Sequence, residues 1–230
     1  MSIRILLVDD NQLFRKGLAA LISNDPDFLV LADVAGGMHV AQSALDCEPD
    51  IIVMDIQLAG INGLETGAQI RRRLPHVRIV LLTALKTEEH VRAALRSGVD
   101  GFVLKDATTD ELKTCLRTVA SGRKFLSPDV SALVVNSLMR PEAAHVGSSR
   151  LDALTSRERS ILQLVAEGRT NRGAAEYLNI SPKTIEKHRS SLMHKLGLRN
   201  AAELTLAALE LGLIERPSSV SRLSGETRRP

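Results

Sequence analysis

Apolar residues in the first 125 positions come in short unbroken runs, each followed by a stretch in which they recur every three or four residues. Ile3–Val8 (IRILLV), Phe28–Val34, Ile51–Met54, Arg78–Thr83 and Gly101–Leu104 have the length and β-branched content of strands. Gln12–Ser23, Met38–Cys47, Gly63–Arg73, Thr87–Ser97 and Thr109–Ser121 have helical spacing, with stops supplied by Pro75, Gly98 and Gly122. Alternation of this kind predicts a doubly wound, five-stranded parallel sheet with helices on both faces, over residues 1–125. The nearly all-apolar strands agree, because parallel strands are buried on both sides.

The pattern changes at residues 139–150 (MRPEAAHVGSSR), which are small, polar and broken by Pro and Gly. Residues 126–150 read as a linker, with a short helix starting at Ser127-Pro128. Four helical segments follow, and they predict a small all-α domain over 151–216. Thr155–Glu167 opens on a capping box, Thr155 with Glu158. Thr170–Leu178 comes next, and a tight turn leads to Ser181–Leu196, which has Ser at its cap and Pro182 at its first position. Asn200–Leu211 is the last. The tail 217–230 (PSSVSRLSGETRRP) lacks a core-forming pattern and is expected to be disordered.

Composition adds little to the first domain and something to the second. Residues 1–125 carry 15 basic and 16 acidic side chains, whereas residues 151–216 carry 10 and 8 and the tail adds a further +2. A positive C-terminal half suits a polyanionic partner. Cys47 and Cys115 have no metal-type spacing, and Ile3–Val8 meets acids at once, which argues against a secretory leader. No apolar run approaches the ~20 residues of a membrane helix. The expected setting is the cytoplasm, with no membrane contact.

Candidate chemistry lies at one edge of the predicted sheet. Asp9 and Asp10 follow the first strand, Asp55 follows the third, Thr83 ends the fourth and Lys105 follows the fifth. Ligands of open parallel sheets bind outside the carboxyl ends of the strands, so all five residues are predicted to share one surface. Clustered carboxylates need a cation, and hard oxygen donors suit Mg2+. With its charge offset, Asp55 can act as a nucleophile on phosphorus, while Lys105 and Thr83 offer a charge and a hydroxyl to phosphoryl oxygens. In the second domain, the helix after the tight turn carries Lys183, Lys187, His188, Arg189 and Lys195 against one acid, Glu186. Ile185, Leu192 and Leu196 form its apolar stripe, so the basic residues are expected to project outward, as in a DNA-reading helix-turn-helix.

The segments LLVDDNQLFRKGL, IVMDIQLAGINGLE, IVLLTAL and GVDGFVLKD resemble the blocks of a response-regulator receiver domain, which is flavodoxin-like. Residues 151–213 resemble the LuxR-type helix-turn-helix, with Thr155, Glu158, Gly168, Ser181, Thr184, His188 and Lys195 at matching positions. The pair is similar to the NarL/FixJ family of two-component response regulators. The resemblance implies phosphorylation on Asp55 by a sensor histidine kinase, with Mg2+ held by Asp9, Asp10, Asp55 and the backbone carbonyl of Gln57. It implies that Thr83 and Lys105 grip the phosphoryl group. Phe102 matches the switch aromatic, its other reading being an ordinary core Phe. Lys183, Thr184, Lys187 and Arg189 are the implied DNA contacts, with Lys195 on a phosphate. The implied partners are double-stranded DNA, a second copy of the chain when phosphorylated, and RNA polymerase. The implied role is transcription regulation rather than enzymatic turnover.

Two positions depart from the family. Ala59 stands where Pro is usual, four residues after Asp55, and Gly173 stands where a Glu usually completes a capping box. A more mobile loop and a softer helix are the expected consequences. A Mg2+-dependent phosphatase is the rival in another class, but Gln57 stands where its second Asp would be. A receiver that is never phosphorylated and an RNA-binding output are the remaining alternatives.

Overall fold

A computed structural model describes residues 2–36, 39–60, 63–84, 91, 94–95, 97–139, 154–211 and 213–214. The expected helix Thr87–Ser97 lies largely outside them, as do residues 140–150 of the linker and the tail 217–230.

The first domain contains β1 (Ile3–Val8), α1 (Gln12–Ser23), β2 (Phe28–Val34), α2 (His39–Cys47), β3 (Ile51–Asp55), α3 (Gly63–Arg73), β4 (Arg78–Thr83), β5 (Gly101–Leu104), α4 (Thr109–Ala120), β6 (Phe125–Leu126) and α5 (Pro128–Met139). The strands form one sheet in the order β2-β1-β3-β4-β5-β6, and every pairing is parallel. Successive strand residues face opposite sides, which sorts the apolar residues into two cores. Leu6, Val8, Ile52, Met54, Ile79, Leu81 and Phe102 share one with α3 residue Ile70. Ile5, Leu7, Val53, Val80, Leu82 and Val103 share the other with residues of α1 and α4.

Two features extend this domain beyond the five-stranded expectation. Phe125 and Leu126 add a sixth strand beside Gly101 and Phe102. Val130, Leu133 and Val134 of α5 then pack on the same core as Phe102. Part of the segment read as linker therefore forms the edge of the α/β domain. A two-residue strand has no periodicity to read, and α5 has apolar residues on all sides.

The second domain contains α6 (Ser156–Ala166), α7 (Asn171–Leu178), α8 (Pro182–Leu196) and α9 (Ala201–Glu210). Its core joins Ile161, Leu162, Ala174, Leu178, Ile185, Leu192, Leu204 and Ala208. The capping box at Thr155 and Glu158 is present. Thr170 caps α7 by accepting the Gly173 N–H at 3.1 Å, so that helix starts properly without the reciprocal acid.

Candidate functional site

The sheet order reverses direction at β1, whose neighbours are β2 and β3. The carboxyl ends of β1 and β3 therefore meet at the switch point, where open α/β sheets bind ligands. Asp55 is the last residue of β3 and Asp9 follows β1; both are buried. Lys105 follows β5, its backbone N–H held by the Thr83 carbonyl at 2.8 Å. Its ammonium lies 2.7 Å from Asp9 Oδ2 and 2.6 Å from Asp55 Oδ2, and 4.7 Å above the Phe14 ring.

Burial pushes the Asp55 carboxyl above its ordinary range, and Lys105 only partly offsets that. Burial also opposes the charge on Lys105, but hydrogen bonds to Asp55 and Asp9 outweigh it and hold that ammonium above its usual range. The site thus keeps Lys105 cationic beside a carboxylate that is costly to ionise, and a further cation there would favour the ionised form.

Backbone contacts hold the loops around this pair. Asp9 Oδ1 accepts the Asn11 N–H at 2.8 Å, and Asp55 Oδ1 accepts the Gln57 N–H at 3.1 Å. Arg15 braces the Asp9 carbonyl and pairs with Asp33 at 2.8 Å. An added Cβ on Gly63 would lie 2.0 Å from the Asp55 carbonyl oxygen, so α3 starts against β3 only because that residue is glycine.

Not every expected site residue converges. Asp10 lines the same cavity, but its carboxylate clasps two loops, accepting N–H groups from Gly36 (2.7 Å) and Ala59. Of the expected ligand residues, Asp9 and Asp55 converge on Lys105, and the Asp10 carboxylate is turned to the loops. Among the described residues no group of three acidic, His or Cys side chains is gathered as a metal cage. Thr83 is fully buried at the end of β4. Phe102 is fully buried in the core.

The basic helix is also only partly as expected. Ile185 and Leu192 face the core, and Lys183 and Lys187 are exposed on the other side. Thr184 is tied into the cap, with its N–H on Ser181 Oγ at 3.1 Å and the two hydroxyls 2.8 Å apart. Arg189 reaches Asn171 on α7 rather than solvent. Lys195, expected on a phosphate, pairs with the buried Glu158 at 2.7 Å. Arg189 and Lys195 thus tie α8 to its neighbours, Lys195 while still partly exposed, and Lys183 and Lys187 project outward.

A cavity of about 550 Å3 stands over Asp55, and only one side of it belongs to the first domain. The other side is formed by Gln163, Ala166 and Glu167 around the end of α6, by Thr205 and Leu209 of α9, and by Leu213 and Ile214. These residues escaped the sequence reading. Nothing local in the sequence marks them, because their partners lie about a hundred positions away.

Comparison with known proteins decides the family. Residues 5–117 match the response regulator receiver domain, and residues 152–208 match the bacterial regulatory proteins of the luxR family. The oxygen regulatory protein NreC of Staphylococcus aureus (strain bovine RF122 / ET3-1) is 32% identical over 92% of this chain and 99% of its own length. The chain belongs to the NarL/FixJ family of response regulators. The transcriptional regulatory protein DegU of Brevibacillus brevis is 29% identical, covering 93% of this chain and 96% of its own. A crystal structure of a LuxR-family two-component response regulator from Aurantimonas sp. SI85-9A1 is 29% identical, with a TM-score of 0.59, covering 61% of this chain and all of that one. This response regulator is a transcriptional regulator with a receiver and a DNA-binding domain. Its family consists of transcriptional regulators rather than enzymes, and among its described residues no helix is long and apolar enough to cross a membrane.

Proposed function

We propose that Asp55 of this response regulator accepts a phosphoryl group from a phosphohistidine of a partner kinase in the cytoplasm, and that this controls pairing and DNA binding. The observation that carries the reading is the Lys105 ammonium held between Asp9 and Asp55 at the switch point of the sheet. An Asp55 oxygen forms the new O–P bond as the donor's P–N bond breaks, and the electron pair and a proton go to the leaving imidazole. Lys105, already beside that oxygen, is placed to follow charge onto the phosphoryl group. Thr83, whose carbonyl holds the Lys105 N–H, is the residue expected to donate its hydroxyl to a second phosphoryl oxygen once the site rearranges around that group.

The donor chemistry fits Mg2+. Asp9 and Asp55 offer hard oxygens that already converge on one cation, and the Gln57 carbonyl is the expected third donor. When bound, the ion would offset charge between the carboxylates and the incoming phosphoryl group. Residues 1–125 serve as receiver with α5 attached to it, and 151–216 as the output domain. Lys183 and Lys187 contact DNA, and RNA polymerase is the further partner of the bound dimer.

Treatment with a small acyl phosphate and Mg2+, followed by mapping of the acid-labile group, is expected to place the label on Asp55 alone. Undiminished labelling of Asp55→Ala would refute the assignment.

A further inference from the structure

Charge on the first domain is sorted between the two ends of the sheet. The acidic site lies at the carboxyl ends of β1 and β3, whereas the amino ends of β4, β5 and β6 are strongly basic. Backbone bonds bring those three ends together: the Asp100 N–H donates to the Ile79 carbonyl at 2.8 Å, and the Phe125 N–H to the Asp100 carbonyl at 2.9 Å. The segments around them, 71–78, 98–100 and 121–124, carry Arg71, Arg72, Arg73, Arg78, Arg123 and Lys124 against one acid, Asp100. Three of these cations converge. Arg71 donates to the Gly98 carbonyl at 2.6 Å, and Lys124 donates to the same oxygen at 3.2 Å. Arg71 also pairs with Asp100 at 2.6 Å, and Arg78 approaches that carboxylate at 3.7 Å. A Cβ on Gly122 would lie 3.6 Å from Arg78 Nη2, so this guanidinium also borders the loop that carries Arg123 and Lys124.

We propose that this basic edge of the receiver sheet binds a small soluble ligand with two or more linked phosphates, such as a nucleoside triphosphate or a short polyphosphate. Asp100 is buried and compensates one cation, while also accepting the Ile79 N–H at 3.0 Å. Asp50, beside Arg78 on the same edge, accepts the Arg4 N–H at 2.8 Å and makes no ion pair with the cluster among the described residues. The convergent cations therefore outnumber their carboxylate, and like charges held together repel until an anion joins them. The cluster is open to such an anion, since the Arg71 and Arg78 side chains are 34% and 43% exposed. Among the described residues the Arg78 guanidinium makes no hydrogen bond, its approach to Asp100 being too long for one. Two guanidinium forks match phosphoryl oxygens in pairs, and the Lys124 ammonium adds a point charge. Exposed Arg72, Arg73 and Arg123 flank the cluster, so a chain of phosphates engages more of the edge than a single phosphate does. The occupant is a free ligand rather than the duplex, because the DNA-binding domain packs over Asp55, at the opposite ends of the strands.

The test titrates inorganic triphosphate into the full chain by calorimetry, without Mg2+, beside inorganic phosphate. One-to-one binding is expected, roughly tenfold tighter for triphosphate than for phosphate. Arg72→Gln combined with Arg78→Gln removes two side chains that make no hydrogen bond among the described residues, and is expected to weaken triphosphate binding by roughly tenfold. Arg72→Gln alone, which leaves every printed contact of the fold in place, is expected to weaken it about threefold. Lys105→Ala, and Lys183→Ala combined with Lys187→Ala, are expected to keep the wild-type affinity. Absence of triphosphate binding, or equal affinity in the wild type and both Arg variants, overturns the proposal. Loss of binding in the Lys105 variant would put the triphosphate at the phosphoacceptor, and loss in the Lys183 and Lys187 variant would put it on the recognition helix; either overturns it. A scrambled duplex that displaces triphosphate from the Lys183 and Lys187 variant would make the edge a nucleic-acid contact and overturn the small-ligand assignment.

Discussion

Glu158→Ala is expected to destabilise the DNA-binding domain by about 2–4 kcal/mol at neutral pH, the largest single effect on its stability. The carboxylate is 2% exposed and serves four donors. It accepts the Thr155 N–H at 2.9 Å and the Thr155 hydroxyl at 3.0 Å, which closes the cap of α6. It also accepts the Ser191 hydroxyl at 2.8 Å and the Lys195 ammonium at 2.7 Å, which tie α8 to α6. Burial pushes its pKa up, but hydrogen bonds from Lys195, Thr155 and Ser191 outweigh this and bring it down from 4.5 to about 2. A folded-state pKa below the unfolded one stabilises the fold above the unfolded value. That stability is present in full above pH 4.5 and drains away as pH falls toward about 2. Glu158→Gln can still accept hydrogen bonds but has no charge to lose. Denaturant unfolding of wild type and Glu158→Gln at stepped pH checks this, and the gap between their midpoints should close from pH 4.5 downward. A gap that stays constant across that window would show that the charge does not stabilise the domain.

The second large effect is expected on DNA. Lys187→Ala should cost ~1–3 kcal/mol on the preferred site and relax base preference there. Lys187 stands one turn beyond Lys183, on the side of α8 away from the buried Ile185 and Leu192. The early turns of a recognition helix reach base edges, whereas phosphate contacts act alike on every sequence. Lys195→Ala separates the two kinds of loss. Its ammonium is spent on Glu158, so it should lower domain stability and leave the salt dependence of DNA binding nearly unchanged. Isotherms on matched and scrambled duplexes at several salt concentrations check both. Equal weakening of matched and scrambled DNA by Lys187→Ala would make Lys187 a phosphate contact and turn the helix differently in the groove.

How much of this was legible in the sequence depended on how far apart the partners lie. Asp9, Asp55 and Lys105 could be placed together because strand ends in a parallel sheet share an edge, whatever the loops do. The capping box of α6 was legible because its partners are three residues apart. The direction of the Asp10 carboxylate was not, since it answers to backbone N–H groups of Gly36 and Ala59 on two other loops. Arg189 and Lys195 read as outward charges because a helical wheel shows only the helix itself. Their partners, Asn171 and Glu158, sit on α7 and α6. The β6 strand had too few residues for a pattern. The seam between the domains had no local signature, as Gln163 is an unremarkable polar residue until α6 is laid against the loop after β3.

The most direct test of the central claim is the affinity of the full chain for its selected DNA site, measured by titration with and without acetyl phosphate and Mg2+, beside Asp55→Ala. Phosphodonor treatment is predicted to tighten binding of the wild type by roughly 5–150-fold, the usual range of coupling between two sites, and to leave Asp55→Ala unchanged. Equal tightening of both proteins, or of neither, would contradict control of DNA binding through Asp55.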